Sequence, residues 1–274
     1  MKLNRLLLLI FFLSNTIFSL AQDTIYLKPY FRDLKTVDII INGEKYNFLF
    51  DTGGGETFIS PDIANLLNKE IYGCPTGIRM DGEMFKYQKA DSVTLKISHT
   101  EIFHNTVGVW NIMDILPKEL PKIDGILSLK SFVNKVLTID LSDNILIIED
   151  IISAKKQIST KELLPSRFAS GPDGSELSVL IGLDKNNKTY WFLFDTGNIG
   201  PVIISSECKV PWKLQSTPAD SANVSSGVEL VMGKNKIEAD AYSKNILYEG
   251  VLNFKSLSKY IFTIDLQKKE VWMN

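Results

Sequence analysis

The sequence predicts an all-β protein of two related lobes with a few short helices. Two repeats and one compositional pattern predict it. The hexapeptide Phe-Leu-Phe-Asp-Thr-Gly occurs at Phe48–Gly53 and again at Phe192–Gly197, each time closing an apolar run. Further on, the stretch from Ile123 to Phe132 is echoed from Tyr248 to Leu257, and Leu137-Thr138-Ile139-Asp140-Leu141 by Phe262-Thr263-Ile264-Asp265-Leu266. Such self-similarity marks an internal repeat. Most segments between these landmarks are short, rich in β-branched or aromatic residues and bounded by Gly, Asn, Asp or Pro, as strands and turns are.

Each hexapeptide forms the second arm of an expected hairpin. In the first copy Val37–Ile41 and Tyr46–Phe50 flank an Asn42-Gly43 turn; in the second, Leu177–Leu183 and Thr189–Phe194 flank the polar loop Asp184 to Lys188. Asn-Gly is a strong hairpin signal because both residues tolerate positive φ. Short strands follow at Thr57–Ser60 and Val202–Ser205. The clearest helix starts with Ser60 as N-cap and Pro61 at the first helical position, and short helices are expected after Gly125 and Gly250.

The spacing between copies is 195 − 51 = 144 at the aspartates but 250 − 125 = 125 at the later glycines. The second half has therefore lost about nineteen residues between these landmarks. The expected domains are a lobe over 24–150, a connection over 151–175 with no clean period, and a second lobe over 176–274.

Lys2 and Arg5, the apolar run Leu6–Leu13 and the small-residue end Ser19-Leu20-Ala21 describe a secretory signal peptide over residues 1–21, cleaved before Gln22. The apolar core is too short to span a bilayer. Export to the periplasm or the medium is the expected localisation, with no stable membrane association after cleavage. A net charge of −2 and no clustered Lys/Arg surface argue against nucleic acid. Cys74 and Cys208, one per half, are read as two free thiols, a single disulfide between the halves being the alternative. His99 and His104 lack the spacing of a metal site and are expected to be surface or satisfied histidines.

An Asp at the end of a Phe-Leu-Phe strand is an expensive placement, since burying a carboxylate without partners costs several kcal/mol. Thr-Gly supplies the remedy: glycine lets N–H groups approach, and the threonine hydroxyl can reach the opposite copy. If the halves pack about a pseudo-twofold axis, Asp51 and Asp195 meet there and share one proton, because two adjacent charges resist ionising together. Such a pair performs acid and base work at once on a water between them.

Two Phe-Leu-Phe-Asp-Thr-Gly motifs, each followed by an apolar-Gly element (Gly125-Ile126-Leu127 and Gly250-Val251-Leu252), resemble the aspartic peptidases of the pepsin and retropepsin type. The resemblance covers nearly all of the mature chain. It implies two aspartic-peptidase-like closed barrels related by a pseudo-twofold axis, with Asp51 and Asp195 the catalytic dyad. Thr52 and Thr196 would interlock beneath it, and Gly53 and Gly197 would bring amides to the carboxylates. It further implies a peptide or protein substrate, a monomer, and no metal or cofactor. A flap is expected at Ile78–Tyr87 around Asp81-Gly82, with Tyr87 an ordinary strand residue, a flap aromatic being the alternative, and Ser221–Leu230 the matching hairpin of the second half.

The motif departs from the family just after Asp-Thr-Gly, where a hydroxyl residue usually bonds the carboxylate and this chain has Gly54 and Asn198. Losing those bonds raises the pair's pKa, so a pH optimum nearer neutral is expected. The rival from another class is a peptide- or glycan-binding protein that keeps the scaffold without activity. Glycoside hydrolysis, which also uses paired carboxylates, ranks below both. Trp110, Trp191, Trp212 and Trp272 are expected as core or lobe-edge aromatics, and Asp140 and Asp265 as turn residues.

Overall fold

The computed structural model describes residues 22–171, 173–214 and 224–274. The expected signal peptide lies outside the described residues. The first half runs through β1 (Asp23–Tyr26), β2 (Lys28–Pro29), β3 (Lys35–Ile41), β4 (Glu44–Phe50), β5 (Phe58–Ile59), the small hairpin β6 (Thr76–Ile78) and β7 (Met84–Lys86), the long hairpin β8 (Gln88–Ile97) and β9 (Thr100–Val109), then β10 (Gly125–Leu127), β11 (Val136–Asp140) and β12 (Ile145–Glu149). The second half supplies β13 (Glu162–Leu164), β14 (Ser166–Ala169), β15 (Ser178–Lys185), β16 (Lys188–Leu193), β17 (Val202–Ser205), β18 (Ser225–Met232), β19 (Asn235–Lys244), β20 (Gly250–Val251), β21 (Ile261–Asp265) and β22 (Glu270–Met273).

These strands close into two barrels of matching order. The first ring is β3-β4-β10-β5-β9-β8, sealed by a β3–β8 pairing; the second is β15-β16-β20-β17-β19-β18, sealed by β15–β18. In each, the strand with the later glycine runs parallel to the hexapeptide strand, Gly125 opposite Phe48 and Gly250 opposite Phe192. A Cβ on either glycine would collide with that phenylalanine ring. The two parts of the repeat are therefore one packing unit, a ring laid across a bare backbone.

A third sheet joins the barrels in the order β1-β12-β11-β21-β22-β13. Its centre pairs β11 with β21 antiparallel, Thr138 opposite Thr263, and the two hydroxyls hydrogen-bond at 3.0 Å. These threonines occupy the same place in the two copies of the repeat. A residue that meets its own counterpart in antiparallel register lies on a twofold axis.

Period-2 alternation explains the hexapeptide. Phe48, Phe50, Phe192 and Phe194 are fully buried in the main core, whereas Leu49 and Leu193 point to the other face of their strands and join smaller clusters. One side chain in three thus serves the space between the lobes.

Helix α1 (Pro61–Leu66) begins as expected, the Ser60 hydroxyl accepting the Ile63 N–H at 3.3 Å. A 3₁₀ turn at Leu129–Phe132 and α3 (Phe254–Leu257) follow β10 and β20. The segment 151–175 holds more structure than its composition suggested. It contains α2 (Ile151–Ser159), capped by Asp150, and the edge strand β13, whose partner β22 lies over a hundred residues away in sequence. The second hexapeptide hairpin has a tight two-residue turn at Asn186-Asn187, both at positive φ, in place of the longer loop expected. Asp140 and Asp265 accept N–H groups of the turns that follow β11 and β21, as expected.

Cys74 and Cys208 are both free. His104 corrects its expectation: it is 7% exposed, its Nε2 has no partner, and burial, with Lys130 adding repulsion, lowers its pKa to about 4. No helix among the described residues is long and apolar enough to cross a membrane.

Candidate active site

Both aspartates sit where the hexapeptide strands end, and the axis brings them together. Beneath them the threonines interlock. The Thr52 hydroxyl donates to the Phe194 carbonyl at 2.8 Å and accepts the Thr196 N–H at 3.0 Å; the Thr196 hydroxyl donates to the Phe50 carbonyl at 3.3 Å and accepts the Thr52 N–H at 3.1 Å. Thr52 is fully buried and Thr196 nearly so. Four reciprocal bonds in a water-free setting fix the two strand ends against each other.

The glycines form the floor. Gly53 N–H donates to Asp51 Oδ1 at 2.9 Å and Gly197 N–H to Asp195 Oδ1 at 2.8 Å. A Cβ on Gly53 would stand 2.5 Å from Oδ1 of Asp195, and one on Gly197 2.7 Å from Oδ1 of Asp51. Each carboxyl therefore rests on the bare backbone of the other half. Only glycine permits that approach.

The carboxyls share a hydrogen bond, and both have raised pKa values. For Asp51 the cause is burial, opposed by the N–H groups of Gly53 and Gly54 and by the bond to Asp195. Asp195 is pushed well above the carboxylate range by burial and then by the charge of Asp51, although Gly197 and Asn198 N–H groups oppose it. Two adjacent buried carboxyls resist ionising together, so the two titrate as one coupled unit shifted upward. The positions after the two glycines behave as expected in one respect: neither side chain bonds a carboxylate. Asn198 donates its backbone N–H to Asp195 at 3.1 Å, while its side-chain amide secures the loop to Pro201 and Leu252.

The dyad opens into a cavity of about 460 Å³ between the barrels. On the first-barrel side its wall is apolar, with Phe58, Phe85, Trp110, Ile112 and Ile126; on the other side stand Leu193, Ile199 and Tyr248. A larger depression of about 690 Å³ lies away from the dyad; on its rim Lys89 pairs with Asp173 and Lys130 donates to the Gly174 carbonyl.

The hairpin β6–β7 stands over this cavity. Its turn carries Asp81-Gly82, with Gly82 at φ +86° and Asp81 accepting the Glu83 N–H. Gly77, Ile78, Arg79 and Met80 line the same cavity as the dyad, which is the position expected of a flap. The tip reaches the opposite barrel: Leu247 N–H donates to the Met80 carbonyl at 2.8 Å, and Lys244 pairs with Asp81 at 2.9 Å. The hairpin is thus fastened across the cleft.

Three residues at this site carry roles the sequence reading missed. Tyr87 is not an ordinary strand residue: its hydroxyl donates to Glu56 Oε2 at 2.8 Å, and its ring meets Phe58 edge-on at 5.2 Å. Glu56 is 3% exposed, and burial raises its pKa to about 7 against that hydrogen bond. Trp110 stacks on Phe85 at 5.0 Å and anchors the flap arm to the barrel. An acid directly after three glycines was a signal for Glu56; nothing local marked Trp110. The hairpin expected at Ser221–Leu230 lies partly outside the described residues, at 221–223; residues 225–230 belong to the single strand β18, which turns only at Gly233-Lys234.

No family model matches the chain, and no curated protein matches it. Among solved structures it is similar to conglutin gamma, a basic 7S globulin from lupine seeds, and to the basic 7S globulin from soybean. Each gives a TM-score of 0.56 at 9% identity and covers 92% of this chain, with 94% of the lupine and 96% of the soybean chain covered. The fold is the pepsin-like double barrel. At 9% identity the likeness extends to the fold alone.

Proposed function

We propose that this chain is an exported aspartic endopeptidase of the pepsin-like double-barrel fold, acting as a monomer on peptide or protein substrates. One observation carries the reading: two carboxyls related by the axis, Asp195 buried and Asp51 half-buried, each seated on the glycine of the other half and each with its pKa raised chiefly by desolvation. The ionised member of the Asp51–Asp195 pair takes a proton from a water between the carboxyls as that water attacks the peptide carbonyl carbon, and the protonated member stabilises the developing oxyanion. The proton taken from the water then passes to the leaving nitrogen as the C–N bond breaks. The steps use water and two carboxyls, with no covalent intermediate.

Because both carboxyls are raised, both limbs of the pH–rate profile move upward. Activity falls below the lower pKa of the pair, where the base is protonated, and above the higher one, where the acid is lost. An optimum nearer neutral than acidic follows, and a peak below about pH 4 would contradict it.

A second reading has its own support. The seed globulins on this fold, and the missing hydroxyls at Gly54 and Asn198, favour a peptide- or glycan-binding protein without turnover. Incubating the mature chain with a diverse peptide library across pH, with and without a statine-type transition-state analogue, decides between them. Cleavage blocked by the analogue and lost in Asp51→Asn supports the peptidase; a folded protein that cuts nothing at any pH, yet retains a ligand in Asp51→Asn, is a binder.

A further inference from the structure

The mouth of the cleft beside Gly55 is acidic and unneutralised. Leu177 N–H donates to the Gly55 carbonyl at 3.0 Å, which presses the preceding residue, Glu176, against the turn that follows Asp51. Glu176 is half-buried and lines the same cavity as the dyad, and no described residue forms a hydrogen bond or ion pair with its carboxylate. Glu56, which lines the cavity beside it, is 3% exposed; its Oε2 accepts from Tyr87, but Oε1 has no partner.

The nearby cations are committed elsewhere. Lys89 bonds Asp173 and the Ser175 hydroxyl, and Arg79 on the flap pairs with Glu83 while lying over the Phe85 ring. Asp173 and Glu176 add repulsion to the burial that raises Glu56, while Tyr87 and Lys89 oppose it. Carboxyl oxygens at an apolar cleft, half-buried or buried and without partners, are unfavourable in isolation; a cation entering from outside satisfies them.

We propose that the Gly55 side of the cleft is a subsite for a basic side chain, Glu176 reading its charge and the free oxygen of Glu56 serving as second acceptor. A lysine ammonium or arginine guanidinium of a bound peptide would donate to Glu176 while its methylene stem covers the apolar wall. The proposal rests on the cleft being a peptide site and holds whether or not the bound chain is cut.

The test uses the Asp195→Asn protein, so that binding is read without turnover, and fluorescent peptide pairs identical except for lysine or norleucine at one scanned position. At one position lysine is expected to bind about tenfold more tightly, and both Glu176→Gln and Glu176→Ala bring that ratio close to one. Equal affinities at every position, or a lysine preference that survives both substitutions, overturns the proposal. If peptides or a statine-type analogue bind without charge preference, this inference alone fails. If neither peptide nor analogue binds, it falls together with the peptide reading of the cleft.

Discussion

The first barrel travels from Gly53 to Gly125 through a capped helix, a flap and a long hairpin, whereas the second covers Gly197 to Gly250 in nineteen fewer residues and, among the described residues, raises no flap. Position 200, which follows Asp195 as Glu56 follows Asp51, is a glycine. Yet at the axis the halves match atom for atom: threonine against threonine, glycine beneath aspartate, Thr138 opposite Thr263. The repeat is kept where one half is the other's binding partner and has diverged where each half faces the cleft or solvent. On the proposed function, chemistry would come from the symmetry, and access and specificity from its loss.

The sharpest way to break that comparison is at the floor of the dyad. Gly53→Ala and Gly197→Ala each force a methyl into the opposite carboxyl, so each should lower peptide turnover by about 10²-fold or more and stability by about 1–3 kcal/mol. If one is tolerated, the two carboxyls are not seated equivalently; steady-state kinetics and urea unfolding read both effects.

Glu56 tests the divergence, having no acidic counterpart. Its folded pKa is raised from 4.5 to about 7, so its contribution to stability is fully present below pH 4.5 and is lost as pH rises through about 7. Glu56→Gln, neutral throughout, should match the parent near pH 4 and exceed it by roughly 2–3 kcal/mol at pH 8. Equal unfolding midpoints at pH 8 would show that the carboxyl is not held in an apolar setting.

A smaller asymmetry lies in the interlock. Thr52 makes the shorter bonds, 2.8 and 3.0 Å against 3.3 and 3.1 Å, so Thr52→Val should cost about 1–2 kcal/mol and Thr196→Val less. Thermal or urea unfolding of the pair checks the order.

Gly54 and Asn198 differ in what a hydroxyl would do. A Cβ on Gly54 meets Asp51 at an ordinary 3.4 Å, so Gly54→Ser can add a donor to that carboxyl. The acid limb of the pH–rate profile should then move down by about 0.5–1 unit. Asn198→Ser loosens the Pro201 and Leu252 contacts instead and should show chiefly as lost stability. The slightest effect is expected at the flap tip, where Lys244→Ala removes a half-exposed ion pair worth under about 1 kcal/mol. Amide exchange over Thr76–Lys86 should quicken a few-fold, with the Leu247–Met80 bond left to hold the tip.

The elements legible in the sequence were those whose determinants are local or repeated. Asn42-Gly43 gave a two-residue turn because both residues accept positive φ, and Ser60-Pro61 gave a helix start because capping is a three-residue affair. The doubled hexapeptide located the dyad because a partner half solves the problem of a buried aspartate. What stayed hidden depends on distant pairing. β13, only three residues long, is too short to announce itself and exists because Val271–Met273 offers it an edge. Gly233-Lys234 carries a weaker turn signal than Asn-Gly, which misplaced the second-half hairpin. Glu56, Glu176 and Trp110 acquire meaning only from what folds against them.

The seam between β11 and β21 has a consequence for any attempt to divide the molecule. Together they form the middle of the joining sheet, so expressing either half alone would leave β11, with Leu137 and Ile139, or β21, with Phe262 and Ile264, paired on one side only and bare on the other. Such an edge recruits whatever strand it meets. The isolated halves should therefore be sticky fragments that pair with themselves or with each other, and mixing them should reassemble the missing sheet.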